Sequence, residues 1–319
     1  MISEYSDLAM VTAMVLYLVA LVFHSLEWAS MRGVDQPTDQ QRGREERWGR
    51  LGLAVTLVAG VVHVVGVVLR GVAADRAPWG NMYEFLTSSL AMAIVIYLVG
   101  AFFFGWKGFG LPVTLLASIG VGLAVTVFYV DVAPLMPALH SVWFIIHIVA
   151  AALAGAIFNL GGIAAILFLF RQRAEHRATV ALGAVTHTSA PGVGTFSYQP
   201  AEPDRPRVAG YLGRLPDSAT LDRVSYRLHA FAFPLWTFAV AAGAIWAQYA
   251  WGRFWGWDPK ETWSLVTWII YAAYLHARAT AGWKGTRAAV LAIIALVSFW
   301  WNFIGVNLVL GGLHSYAGI

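Results

Sequence analysis

Long apolar stretches separated by short polar connections make up most of the 319-residue chain. A helix needs about 20 consecutive apolar residues to cross the hydrocarbon core of a bilayer. Eight stretches reach or approach that length, so the pattern predicts an all-α, polytopic membrane helix bundle with about eight transmembrane helices. They are Leu8–Trp28, Leu51–Leu69, Phe85–Phe104, Leu111–Val130, Val142–Phe170, Ala230–Tyr249, Trp263–His276 and Ala288–Leu310. The seventh stretch is short and needs flanking residues to complete a crossing.

The pattern also divides the chain into three parts. Five helices in residues 1–170 and three helices in residues 229–319 flank a polar connection, 171–228, which we expect to be cytoplasmic. The Pro, Gly, Ser and Thr residues of Thr186–Pro216 predict disorder in the middle of this connection. The amphipathic sequence Asp217–Leu228 predicts a short helix that lies on the membrane surface.

Basic residues are distributed unevenly among the connections. Seventeen of the 21 Lys and Arg residues fall in the connections that follow the first, third, fifth and seventh stretches. The positive-inside rule places such connections in the cytoplasm, so we expect both chain termini on the outside. The exceptions are Arg70, Arg76, Arg253 and Lys260.

Composition supports a membrane protein and excludes several other classes. Hydrophobic residues make up 59% of the chain and charged residues only 12%, whereas about 25% of the residues of soluble domains are charged. The absence of Cys excludes disulfides, iron–sulfur clusters and thiolate metal sites within this chain. The net charge of +4 follows from the basic connections and does not indicate nucleic-acid binding.

The connection between the sixth and seventh stretches holds four Trp and one Phe between Trp251 and Trp263. An aromatic belt at the membrane interface is one interpretation of this segment. A platform for a flat apolar ligand is the other, and Gly252 and Gly256 favour it because glycine lets a backbone approach a ligand closely. The Asp-Pro-Lys-Glu run that begins at Asp258 predicts a helix start with Asp258 as the N-cap.

This segment, residues 251–264, resembles the Trp-rich WWD motif of haem-handling membrane proteins. Its version is similar to that of the CcsA or ResC family, labelled CcsB in actinobacteria, which belongs to the System II cytochrome c synthases. Three further segments match that family: Trp79–Phe85, Ser141–His147 and Gly305–Tyr316. The resemblance covers most of the chain except Arg171–Asp222, where this sequence has a longer connection. The motif indicates haem handling more specifically than it separates System II from its System I relatives.

The resemblance implies that His147 and His314 are the two axial ligands of an external haem b. It assigns His276 to a second haem within the membrane, whose other ligand comes from a CcsB/ResB-type companion subunit. The apolar surroundings of His24 and His63 leave these two residues as alternatives within the chain, because an imidazole inside a span is costly and by default functional. The residues that the resemblance assigns to the haem platform are Trp251, Trp255, Trp257, Asp258 and Trp263.

Arg253 and Lys260 lie inside the Trp-rich motif and run against the charge bias of the chain. A carboxylate that leaves water needs a cation or another donor. We therefore expect one or both residues to pair with the haem propionates. The alternative is that both are cations that extend to the lipid headgroups.

The resemblance implies a haem-handling subunit of a cytochrome c synthase in the bacterial plasma membrane, with the Trp-rich segment on the outer face. Such a subunit would move haem outward and present it for thioether attachment to the Cys-x-x-Cys-His of apocytochrome c. The implied partners are haem, apocytochrome c, the companion subunit and a thiol-reducing membrane protein. Attachment activity is expected only together with the companion subunit.

Two other functions stay open on the sequence. One is a haem exporter or chaperone similar to CcmC of System I, which forms no thioether bond. The other is a non-catalytic membrane scaffold that the aromatic segment merely anchors. Eight spans and an external His314 favour the System II function.

Overall fold

The computed structural model describes residues 1–31, 38–187, 208 and 210–314. Within these ranges the regular structure is entirely helical, which confirms the predicted all-α class. The helices are α1 (Ile2–Ser30), α2 (Asp39–Ala74), α3 (Met82–Phe103), α4 (Gly110–Thr126), α5 (Val142–His187), α6 (Tyr211–Arg214), α7 (Ser218–Trp251), α8 (Pro259–Ala279), α9 (Thr286–Trp300) and α10 (Val306–Val309). Two 3-10 turns, Trp106–Phe109 and Pro137–Leu139, and a π-helical turn, Trp301–Gly305, complete the described helical structure.

Seven helical segments of the described chain are long and apolar enough to cross a membrane. They are α1, α2, α3, α4 with the turn before it, α5, α7 and the run from α9 through α10. The seventh predicted stretch is different, because it forms α8, a helix of 21 residues that is not among these seven. Its polar side chains, Thr262, Ser264 and Thr267, make it less apolar than its neighbours.

Helix α8 nevertheless runs beside α7 over the depth of the bundle. Arg278 near the end of α8 pairs with Asp222 near the start of α7, with 2.7 Å between Nη1 and Oδ1. Near the other end, the indole N–H of Trp236 in α7 donates to the carbonyl oxygen of Ser264 in α8 at 3.4 Å. The described part of the chain therefore forms the seven membrane-length segments and α8, which is distinctly more polar.

Helix α7 begins earlier than the pattern predicts. The expected surface helix Asp217–Leu228 is the first part of α7, which Asp217 caps by accepting a hydrogen bond from the backbone N–H of residue 220. Leu221, Ser225 and His229 are buried at intervals of four residues. Because this buried face continues into the bundle without a break, the segment packs as part of a long helix and not as a separate surface element.

Helix α5 is also longer than predicted. It continues past Phe170 to residue 187, and Arg171 pairs with Glu175 one turn further on, with 2.8 Å between Nε and Oε1. The beginning of the predicted polar connection is therefore helical. Most of Thr186–Pro216, for which the sequence predicts disorder, lies outside the described residues.

Helix α5 is the most buried of the membrane-length helices and packs against α7, α3 and α9. The ring of Phe158 stacks on Tyr271 of α8, with 3.8 Å between the ring centroids. Small residues on α5 permit this close packing. A Cβ atom at Gly161 would lie 2.7 Å from the ring of His229, so only glycine leaves room for that imidazole.

One end of the bundle gathers residues 75–81, 127–141, 252–258 and 310–314, and we call it the site end. The hydroxyl of Tyr129 donates to the carboxylate of Asp7 in α1 at 2.8 Å, so both ends of the described chain lie here. The four basic residues that run against the charge bias, Arg70, Arg76, Arg253 and Lys260, also lie at the site end.

Candidate functional site

A cavity of about 1140 Å³, including the open space at its mouth, lies at the site end. Its wall is mostly apolar and aromatic, with few polar groups, as is usual for sites that bind organic ligands. It is lined by residues from the connection before α3, from α5 and α7, from the Trp-rich segment and the start of α8, and from the end of the chain. His147 and His314 both line it.

His147 lies in the second turn of α5, and two contacts fix its ring. Nδ1 donates a hydrogen bond to the carbonyl oxygen of Ala239 in α7 at 2.7 Å. The ring is nearly parallel to that of Trp246, with 5.9 Å between centroids and 15° between planes. Gly243 makes room for the imidazole, because a Cβ there would lie 2.8 Å from Nδ1. With the proton held on Nδ1, the lone pair of the neutral ring resides on Nε2.

His314 reaches the cavity from the end of the described chain. Its Nδ1 lies 2.9 Å from Oδ1 of Asp258, so the imidazole donates to the carboxylate. Its ring stands edge-on to Trp251 at 4.8 Å and to Trp246 at 5.6 Å between centroids. A carboxylate on Nδ1 orients an imidazole and raises the basicity of Nε2, which is the arrangement that metal-binding histidines usually have.

Asp258 also caps the start of α8. It caps the helix together with Glu261, in the capping box that the sequence predicts. Burial by itself raises the pKa of the Asp258 carboxyl, but hydrogen bonds from His314, Leu313 and Lys260 outweigh that effect and hold the pKa at about 2. The carboxylate therefore stays ionised beside His314 at any physiological pH.

Trp246 connects the two histidines, and the sequence interpretation missed it. It is buried, its ring contacts both imidazoles, and its indole N–H donates to the carbonyl oxygen of Ala138 at 2.8 Å. The only signal in the sequence is a Trp that follows Gly243 by three residues near the end of an apolar stretch. The apolar stretch Ala230–Tyr249 concealed that signal.

The structure does not bring the four predicted platform tryptophans together on one wall. Trp255 lines the cavity, and Trp251 lies behind it against Trp246 and His314. The side chain of Trp257 is 69% exposed, and its backbone has a φ of 59°. Trp263 packs edge-on against Trp301 at 5.7 Å and does not line the cavity.

The two predicted cations have different surroundings. Lys260 lines the cavity, and its ammonium donates to the carbonyl oxygen of Asn302 in the π-helical turn at 2.8 Å. Burial lowers the pKa of Lys260 to about 7, and the Asp258 carboxylate opposes part of that shift. Arg253 is not a lining residue, and its guanidinium lies 3.7 Å from Glu261.

The other predicted histidines lie away from this cavity. His276 is exposed in the last turn of α8, at the opposite end of the bundle from His147 and His314. His24 is buried beside Glu27, with 3.1 Å between Nδ1 and Oε2, and His63 is buried beside Tyr17. None of these three lines the cavity, so the structure brings together only two of the predicted ligands.

The two cavity histidines could ligate a metal ion that is part of a larger ligand. In the described residues no group of three or more His, Cys, Asp or Glu side chains is arranged to hold a bare metal ion. Two imidazoles with anchored Nδ1 atoms, both on an aromatic cavity, can instead give nitrogen ligands to a metal that a flat apolar molecule brings with it.

Comparisons with known proteins agree with this picture. The model of the cytochrome c assembly protein family matches residues 48–314. The cytochrome c biogenesis protein CcsA of Gloeothece citriformis (strain PCC 7424) is 35% identical over 294 residues, which cover 83% of this chain and 87% of that protein. CcsA of Synechococcus sp. (strain JA-3-3Ab) is 36% identical over 292 residues, covering 83% and 85%. CcsA of Porphyra purpurea is 32% identical over 284 residues, covering 84% and 87%.

A solved structure shares the fold at low sequence identity. The cytochrome c haem lyase CcmF superimposes with a TM-score of 0.63 at 14% identity, covering 96% of this chain. The chain spans about half of that protein, or 49% of its length. The family match and the CcsA relatives confirm the resemblance that the sequence motifs indicate. Because that match runs from residue 48 to residue 314, the chain belongs to the cytochrome c assembly protein family.

Proposed function

We propose that the chain binds haem b in the cavity at the site end, with His147 and His314 as the axial ligands of the iron. The observation that carries this proposal is that the two imidazoles contact one indole, that of Trp246, and line one cavity. Each imidazole has its Nδ1 held by an acceptor, which is the arrangement that metal-binding histidines usually have.

The cavity matches the shape and polarity of this substrate. Haem is flat and apolar over most of its surface, and the lining side chains of Phe144, Trp236, Phe299 and Phe303 are aromatic. The volume of about 1140 Å³ includes open space at the mouth, so the site is a partly open cleft. Its largely apolar lining suits the apolar faces of the haem ring.

We propose that the bound haem is presented to apocytochrome c for thioether attachment. The relatives named CcsA are cytochrome c biogenesis proteins, and the protein that shares the fold is named a haem lyase. Haem supplies the vinyl groups, to which the two thiols of a Cys-x-x-Cys-His segment add. The chain has no Cys, so its own residues hold, orient and shield the haem while both thiols come from the substrate.

The charge distribution supports a specific orientation in a bacterial plasma membrane. Among the Lys and Arg residues that the structure describes, Arg70, Arg76, Arg253 and Lys260 lie at the site end. The positive-inside rule then favours an outward-facing site end, with the Trp-rich segment and both termini outside.

A CcsB/ResB-type subunit is the companion that we propose for attachment. His276 is exposed on α8, on the same face as Ile269 and Ala273. An exposed imidazole at the end of an otherwise apolar face is well placed to share a second haem with a ligand from another membrane subunit. Neither His24 nor His63 reaches that face, because both are buried elsewhere.

Purification from membranes tests the haem site. The wild-type chain should carry a Soret absorption band, and His147→Ala or His314→Ala should lose most of it. His140→Ala is the matched control, because His140 is an exposed histidine at the site end that does not line the cavity. A wild-type chain without haem, or a double variant with unchanged haem, would overturn the proposal.

Co-expression tests the attachment step. With the companion subunit and a reporter cytochrome that carries Cys-x-x-Cys-His, the wild-type chain should yield covalent haem on the reporter. A complex that exports haem without forming thioether bonds would instead support the exporter function.

A further inference from the structure

We propose that the haem propionates are bound by the indole N–H groups of Trp79 and Trp255, which both line the cavity. This inference rests on the proposed haem site and names residues within it. It differs from the expectation drawn from sequence, which paired the propionates with one or both of Arg253 and Lys260.

Four tryptophans line the cavity, and they fall into two pairs. The N–H of Trp246 donates to the carbonyl oxygen of Ala138 at 2.8 Å, and that of Trp236 donates to the carbonyl oxygen of Ser264 at 3.4 Å. The N–H groups of Trp79 and Trp255 are buried and have no acceptor among the residues that the structure describes. The difference indicates that the second pair requires an acceptor from a ligand.

Chemistry limits what that acceptor is. An indole N–H donates and cannot accept, and leaving it buried without a partner costs free energy. On haem the pyrrole nitrogens bind iron, so the strong acceptors that remain are the two propionate carboxylates. Hydrogen bonds to an ionised acceptor are stronger than those between neutral groups.

The glycine that follows each of the two tryptophans is bonded in the same way. Trp79 precedes Gly80, whose N–H donates to the Glu84 carboxylate at 2.8 Å. Trp255 precedes Gly256, whose N–H donates to the Glu261 carboxylate at 2.7 Å. In both cases the carboxylate belongs to the third residue of the helix that follows, α3 or α8.

An arginine lies against the glycine in each copy of this arrangement. A Cβ at Gly80 would lie 2.9 Å from the guanidinium of Arg76, and a Cβ at Gly256 would overlap that of Arg253. Arg76 pairs with Glu84 at 2.6 Å, and Arg253 lies 3.7 Å from Glu261.

Arg76 is hydrogen-bonded to a protein carboxylate, whereas Arg253 lies near Glu261 and its Nη1 makes no hydrogen bond with the described residues. Neither Arg76 nor Arg253 lines the cavity. The repeated unit of arginine, tryptophan, glycine, cap and glutamate therefore presents an indole, and not a guanidinium, to the ligand.

Lys260 is the one Lys or Arg side chain among the residues that line the described cavity. Its ammonium already donates to the carbonyl oxygen of Asn302 at 2.8 Å and lies 5.6 Å from the ring centroid of Phe303. Lys260 therefore already has a protein acceptor, whereas the two indoles have N–H groups to give to the ligand.

Haem titration of the purified full-length chain tests the proposal. Trp79→Phe and Trp255→Phe keep an aromatic ring and remove the N–H, and each should weaken haem binding about tenfold. Haem dimethyl ester, whose propionates are esterified and uncharged, should bind the wild type and both variants with nearly equal affinity. Trp236→Phe is the matched control, because its N–H has a protein acceptor, and it should affect haem and the ester equally.

Equal weakening of haem and ester by Trp79→Phe and Trp255→Phe would overturn the inference, since it would indicate lost ring packing. Unchanged haem affinity in both variants would also overturn it. Failure of the proposed function looks different, because the wild-type chain itself would then bind no haem that depends on His147 and His314.

Discussion

Nδ1 of His314 lies 2.9 Å from Oδ1 of Asp258, a residue 56 positions earlier in the chain. This contact joins the end of the described chain to the start of α8 and places the imidazole beside Trp246 and Trp251. Asp258 is thus a helix cap and the orienting partner of a proposed iron ligand. An aspartate at this position of the Trp-rich motif therefore orients His314 in addition to starting α8.

We predict that Asp258→Asn weakens haem binding about 10–100-fold, as the loss of an outer partner of a metal-binding histidine usually does. Asparagine also caps helices well, so α8 should still begin at the same residue. Haem titration measures the affinity and circular dichroism the helix content. Asp217→Asn, at the cap of α7 far from the cavity, should leave haem affinity unchanged. Equal affinity of Asp258→Asn and the wild type would contradict the role given to this contact.

Gly243→Ala should disturb His147 specifically. The added Cβ would lie 2.8 Å from Nδ1, a distance that forces the ring to move and weakens its bond to Ala239. We expect roughly tenfold weaker haem binding and a changed Soret spectrum. Gly122→Ala is the control, because nothing lies within 4 Å of a Cβ at that helical position. Similar spectra for the two variants would show that the close approach has no functional consequence.

Glu84→Gln should destabilise the site end. Glu84 is fully buried and pairs with Arg70 at 3.0 Å and with Arg76 at 2.6 Å. Removing one member of a buried ionic network costs about 3–5 kcal/mol, because the remaining charges stay buried without compensation. The midpoint of thermal unfolding, followed by tryptophan fluorescence, should fall clearly. Glu4→Gln, at an exposed position in α1, should leave that midpoint where it is.

The pH dependence of stability should reveal Lys260. Its pKa is about 7 in the folded chain and 10.5 ordinarily, mainly because of burial. Between these values the unfolded chain binds more protons than the folded chain, so this residue makes stability rise as pH increases from about 7 toward 10.5. Unfolding midpoints measured across that range should rise for the wild type. The rise should be smaller for Lys260→Met. If the wild type and this variant had the same dependence of unfolding midpoint on pH, the lowered pKa of Lys260 would be wrong.

Local patterns in the sequence predicted the parts of this molecule that are themselves local. The apolar stretches gave seven membrane-length helices, and Asp258 with Glu261 gave the start of α8. The positions of His147 and His314 came from the family motifs, which also correctly assigned the chain to its family.

Such local patterns could not predict the contacts that build the cavity. Trp246 and Ala239 meet His147 across two helices that are about ninety residues apart in the chain. No periodicity encodes that register, and an apolar stretch conceals a functional Trp. The early start of α7 was missed for a related reason, since a polar sequence next to a membrane helix resembles a separate surface helix until its buried face is visible.

Electron paramagnetic resonance of ferric haem in the purified chain is the sharpest test of ligation by His147 and His314. Two imidazole ligands should give a low-spin signal, which should change to a high-spin signal in His147→Ala and in His314→Ala and stay unchanged in His140→Ala. An undiminished low-spin signal in the His147→Ala/His314→Ala double variant would show that these two residues do not ligate the iron.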